Sequence, residues 1–118
     1  TIFSDIDGTL IEQVRFEDLS GDKVKVLPGV KEKMNEWYEA GHYIVLTTAR
    51  PENLRIITQE QMATAGFRYH QLVMGIGREE RILINNNSNT DPERNRASAV
   101  PVARDGGFAN LEWASVGL

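Results

Sequence analysis

Short apolar runs alternate along the chain with longer segments in which apolar residues recur at helical spacing. Thr1, Ile2, Phe3 and Ile6 make residues 1 to 7 apolar and β-branched, up to the turn signal Asp7-Gly8-Thr9, which predicts a strand running into a tight turn. Residues 11 to 27 are mixed. Ser20-Gly21-Asp22 is a turn signal between Val14-Arg15-Phe16 and Lys23-Val24-Lys25-Val26, so a β-hairpin flap or loop is expected there. Pro28-Gly29 opens a helix whose Val30, Met34, Trp37 and Tyr38 fall on one face, and Gly41 stops it. Trp37 and Tyr38 are expected in the core.

Tyr43 to Thr48 is a nearly continuous apolar run of the kind buried on both faces of a parallel sheet. Pro51 suits the first position of a second helix, with Leu54, Ile57 and Met62 on its buried face and Gly66 closing it. Two further strands are predicted at Gln71 to Met74 and Arg81 to Asn85. Residues 98 to 102 predict a fifth, an edge strand because of Pro101, and residues 108 to 115 a short helix carrying Trp113. Alternating strands and helices of this kind predict an α/β fold with a parallel sheet. One place resists: only six residues separate Met74 from Arg81, too few for a crossover helix between parallel strands. The polar stretch from Asn85 to Arg96 reads as an exposed loop.

Composition narrows the function classes. A chain of 118 residues is one domain in size, with room for a core and none for a separate cap domain. Without cysteine, a thiol nucleophile, a zinc–cysteine site and a disulfide framework are excluded. The net charge of -4 makes a basic nucleic-acid-binding face a poor expectation. No run approaches the roughly 18 apolar residues of a membrane span. No secretory signal opens the chain, so a cytoplasmic location is expected, and the abrupt strand start suggests one or two missing N-terminal residues. His42 and His70 lack partners at metal-ligand spacing and are given no catalytic role.

The chemistry concentrates in Ser4-Asp5-Ile6-Asp7-Gly8-Thr9-Leu10. Asp5 and Asp7 stand at i and i+2, on one side of a strand, at the end where open α/β sheets place ligands. Gly8 permits a sharp turn with closely spaced N–H groups, a candidate anion cradle with Thr9. Two neighbouring carboxylates repel and call for a cation or a shared proton. Magnesium fits, since it joins carboxylates to a substrate phosphate. One aspartate could attack phosphorus, while the other protonates the leaving oxygen. A plain Asp-x-Asp-Gly turn on the surface is the alternative.

On this motif the chain resembles the haloacid dehalogenase-like superfamily, in its small capless form. The resemblance implies a three-layer Rossmann-like fold with a central, mostly parallel sheet. It also implies Mg2+ and phosphatase activity on a small phosphorylated substrate, in some members a sugar phosphate. By that resemblance Asp5 is the nucleophile, Asp7 the general acid/base, and the Asp5 carboxylate and Asp7 backbone carbonyl hold the metal. Leu46-Thr47-Thr48-Ala49-Arg50 matches the second family motif, which makes Thr48 a phosphate ligand. Arg50 could reach a substrate oxyanion, and Thr48 could equally cap the following helix.

The later motifs depart. Asn86 stands where the family's last metal-binding acid belongs, so by the resemblance it is the third metal ligand, through an uncharged carbonyl, and no lysine follows Lys33. The phosphate-neutralising cation the resemblance calls for is then Arg78 or Arg81, with Arg78 preferred for its place in the Gly77 loop; both could equally be solvated charges beside Glu79 and Glu80. Two functions compete: a magnesium-dependent phosphatase working through an aspartyl-phosphate, and a catalytically weak or inactive domain retaining the pocket for binding or regulation. With only a flap to cover it, the site could be closed by a second subunit, so a homo-oligomer is also an expectation.

Overall fold

A computed structural model describes all residues from Thr1 to Leu118. Its elements follow the apolar runs. Strand β1 is Ile2–Asp5, helix α1 Val30–Glu39, strand β2 Ile44–Thr47, helix α2 Arg55–Ala65 and strand β3 Gln71–Val73. The three strands form one parallel sheet in the order β1-β2-β3, with Ser4 beside Leu46 and Leu46 beside Leu72. This is the α/β arrangement with a parallel sheet that the alternation of patterns predicts, and it agrees with the Rossmann-like fold that the resemblance implies.

Side-chain alternation along the strands decides what is covered. Ile6, Ile44, Leu46 and Leu72 share a single apolar cluster with Val30, Met34 and Trp37 of α1 and with Met62 and Ala65 of α2. Both helices therefore lie on one face of the sheet. On the other face Phe3 stays 60% exposed and Val73 38%. Trp37, as expected, is core, and Trp113 meets its ring edge-on at 4.9 Å. Tyr38 sits at the rim, where its ring stacks on His70 at 5.2 Å. His70 also accepts the Ile44 N–H on Nδ1, so its role is to close the start of β2.

Several expectations change. The buried face of α2 is Thr58, Gln61, Met62 and Ala65 rather than Leu54, Ile57 and Met62, so its apolar stripe is interrupted by two polar side chains. Residues 11 to 27 form a flap with one antiparallel bridge, Ile11 to Val26, and a short 3₁₀ turn at Phe16–Asp18, not a regular hairpin. The terminal helix is a single 3₁₀ turn, Trp113–Val116. The strands expected at 81–85 and 98–102 do not form. The outer edge of β1 is free, yet the six-residue connection after Met74 is too short to return a parallel strand to it.

Candidate active site

The carboxyl end of β1 carries Asp5, and the turn that follows is built tightly. Leu10 and Thr9 both direct their backbone N–H groups to the Ile6 carbonyl, and Gly8 N–H donates to the Ile11 carbonyl. Gly8 adopts φ +77°, a left-handed conformation that glycine enters without penalty. The expected cradle of Gly8 and Thr9 N–H groups is therefore not available to an anion, because the turn itself uses both. Thr9 contributes through its hydroxyl, which donates to Asp5 Oδ2 at 3.1 Å.

Asp5 is half-buried, and desolvation pushes its carboxyl above the ordinary carboxylate range. The Thr9 hydroxyl, the Ile6 backbone and the Arg81 charge oppose that rise, while the neighbouring Asp7 adds to it. Arg81 Nη2 stands 3.9 Å from Asp5 Oδ1. The preference between the two late arginines thus reverses. Arg81 is beside Asp5, whereas Arg78 lies over the Phe16 ring of the flap at 5.4 Å.

Asp7 faces a different environment. Arg50 donates from Nε to Asp7 Oδ2 at 2.9 Å and from Nη2 to Asp7 Oδ1 at 2.7 Å. The Arg50 side chain is fully inaccessible, and its Nη1 donates to Thr58 Oγ1 at 2.9 Å and to Gln61 Oε1 at 2.6 Å. Arg50 is therefore not placed to meet a substrate oxyanion; it is turned inward and holds Asp7. Thr58 and Gln61 were not anticipated from the sequence. Two polar residues three apart on a helix face that also carries Met62 and Ala65 are the signal of a buried charge nearby. Thr48 is 1% exposed just after β2, and its hydroxyl accepts the Arg50 N–H at 3.1 Å, which closes a local turn; it caps neither helix that follows, whose first turns begin after Pro51 and Leu54.

Asn86 is not delivered to this site by a strand. It lies in the exposed loop, where its side-chain oxygen accepts from Arg96 Nη1 at 3.4 Å. No three acidic, histidine or cysteine side chains gather anywhere. Two oxygens at the end of β1 nevertheless suit a hard cation. Asp5 Oδ1 accepts no side-chain hydrogen bond, and the Asp7 backbone carbonyl accepts none. Magnesium commonly takes one or two protein oxygens and completes its shell with water and phosphate, so this pair fits the protein's share of such a site.

Comparison with known proteins bears on the family and the fold. The family model described as haloacid dehalogenase-like hydrolase matches residues 2–65, more than half of the chain. No curated protein matches. Among solved structures, a chain of the Pnkp1/Rnl/Hen1 complex is similar over 68% of this chain with a TM-score of 0.56 and 20% identity. This chain spans only 29% of that one. A structural-genomics target from Vibrio cholerae is similar over 74% of this chain and 80% of its own length, with a TM-score of 0.51 and 19% identity. At such identities both likenesses speak for the fold alone.

Proposed function

Because the protein belongs to the haloacid dehalogenase-like hydrolase family, we propose that it is a magnesium-dependent phosphatase in which Asp5 is the nucleophile. The observation that carries the reading is the contrast between the two aspartates. Asp5 keeps Oδ2 on the Thr9 hydroxyl, while Oδ1 has no side-chain hydrogen bond and stands 3.9 Å from Arg81 Nη2, at the open end of the sheet. Asp7 is fixed by Arg50 from behind. Two carboxylates with different environments can take different roles.

In the proposed reaction an Asp5 oxygen bonds to phosphorus as the bond from phosphorus to the leaving oxygen breaks. The leaving oxygen takes a proton from Asp7. Water, losing a proton to Asp7, then cleaves the aspartyl-phosphate, which releases inorganic phosphate and restores the Asp5 carboxylate. Magnesium held by the Asp5 carboxylate and the Asp7 carbonyl would supply positive charge to the phosphoryl oxygens. Arg81 supports the same charge from the side of Asp5. Thr48 keeps its hydroxyl hydrogen free to bind a phosphoryl oxygen, its oxygen being the acceptor for Arg50 N–H. The substrate is a small phosphorylated metabolite, with sugar phosphates one class to include in a screen.

The test is hydrolysis of p-nitrophenyl phosphate with and without magnesium. Activity that needs magnesium and vanishes in Asp5→Asn upholds the reading. A second reading, a domain that binds phosphate with little turnover, is favoured by Asn86, which brings no acid to the metal. Phosphate binding without hydrolysis across a panel of phosphorylated metabolites would select it.

A further inference from the structure

Residues 103 to 108 cross the turn after β1, and the reading above gives them no part. Asp105 N–H donates to the Gly8 carbonyl at 2.8 Å, and Asp105 Oδ1 accepts the Gln13 N–H at 2.9 Å. One residue thus ties this strap to both the nucleophile turn and the flap. Asp105 is the one non-glycine residue with positive φ, at 59°. Aspartate enters that region more readily than most residues, and here two hydrogen bonds hold it there. Farther along, Phe108 N–H donates to the Pro28 carbonyl at 2.7 Å, and the Phe108 ring is buried 5.8 Å from Trp37. The strap is therefore anchored at both ends.

Its effect is to set Arg104 against Gly8. Arg104 Cγ lies 3.2 Å from the place where a Cβ on Gly8 would stand, so the arginine stem occupies the space that glycine leaves. No carboxylate pairs with Arg104, and its side chain donates no hydrogen bond within the protein. The other cations around the site are engaged: Arg50 with Asp7, Arg81 beside Asp5 and Arg78 over Phe16. The N–H groups of Gly8 and Thr9 are spent inside the turn. An exposed guanidinium without a carboxylate partner, on a stem packed beside this turn, is suited to bind an anion.

We propose that Arg104 binds an oxygen of the substrate's phosphate, and that the strap 103–108 exists to hold it there. The proposal rests on the phosphatase reading for its ligand class, a phosphate monoester. Two measurements on the full chain separate the two ideas. One is titration of inorganic phosphate in the presence of magnesium, and the other is p-nitrophenyl phosphate kinetics. Arg104→Gln is expected to raise the Kd for phosphate and the KM by about 10- to 100-fold, the range for losing a charged hydrogen bond. kcat should change far less, and Arg104→Lys should recover part of the loss.

Melting should not move, since Arg104 is exposed. A lowered melting temperature with an unchanged Kd would make Arg104 a structural residue and overturn the proposal. A wild-type chain that binds no phosphate would overturn it too. Weakened phosphate binding by Arg104→Gln in a chain without hydrolysis would uphold Arg104 and defeat the catalytic reading instead.

Discussion

Arg50 holds Asp7 through two parallel hydrogen bonds, 2.9 Å and 2.7 Å long, from a side chain with no access to solvent. Such a pair is costly to break on one side only, because the remaining charge is left buried without a partner. Arg50→Met strands the Asp7 carboxylate and takes away the donor to Thr58 and Gln61. Unfolding by urea should show a loss of about 3–5 kcal/mol. Arg50→Lys should recover only part, because an ammonium cannot make the bidentate contact. A loss under about 1 kcal/mol in Arg50→Met would mean that the pair does not hold the turn in solution.

Asp5 makes the opposite contribution. Burial raises its pKa, so as pH falls the native chain takes up this proton before the unfolded chain does. Stability linked to Asp5 is therefore full at low pH and falls as pH rises from the ordinary carboxylate range through the raised value. At neutral pH the charged Asp5 is a standing cost. Asp5→Asn should be more stable than wild type at neutral pH and should flatten that part of the pH profile. Magnesium should raise the melting temperature of the wild type and leave Asp5→Asn unmoved. Equal pH profiles for the two proteins would show that Asp5 is not desolvated.

Much of the first half of the chain is legible because its signals are local. The β-branched run before Asp5, the apolar stripe Val30-Met34-Trp37 and the glycines that end the helices each act within a few residues. Arg50 is different. From the sequence it is an arginine after a strand, and only the distant pair Thr58 and Gln61 reveals that it points inward. Arg104 depends on Asp105 reaching back across 92 residues to Gln13, a contact no periodicity announces. The expected strand at 81–85 fails for a related reason. Apolar residues qualify Ile82, Leu83 and Ile84 for a sheet, but a strand forms only where a neighbour can be reached.

That unused strand has a consequence for solution behaviour. Ile82, Leu83 and Ile84 are 79%, 59% and 91% exposed, and the outer edge of β1 is unpaired beside the exposed Phe3. A bare edge together with an apolar β-branched segment favours pairing between copies. Sedimentation velocity over a concentration series should show reversible association of the wild type. Leu83→Lys should weaken it while changing stability by less than about 0.5 kcal/mol, as for other surface positions. A wild type that stays monomeric at the highest concentration would count against the edge as a contact.

The two late arginines give the last prediction. Arg81 stands 3.9 Å from Asp5, at a distance where its charge acts on the Asp5 carboxylate through partial solvent. Arg78 instead covers Phe16, a flap contact that involves neither aspartate. Arg81→Ala should reduce kcat/KM for p-nitrophenyl phosphate by about tenfold or more, equivalent to roughly 1.4 kcal/mol of transition-state stabilisation. Arg78→Ala should cost less, and the loss should show mainly in KM if the flap loosens over the site. The ranking is the measurement that matters: if Arg78→Ala is the more damaging, the cation that serves the phosphoryl group comes from the Gly77 loop. Arg81 would then be a surface charge that happens to lie near Asp5.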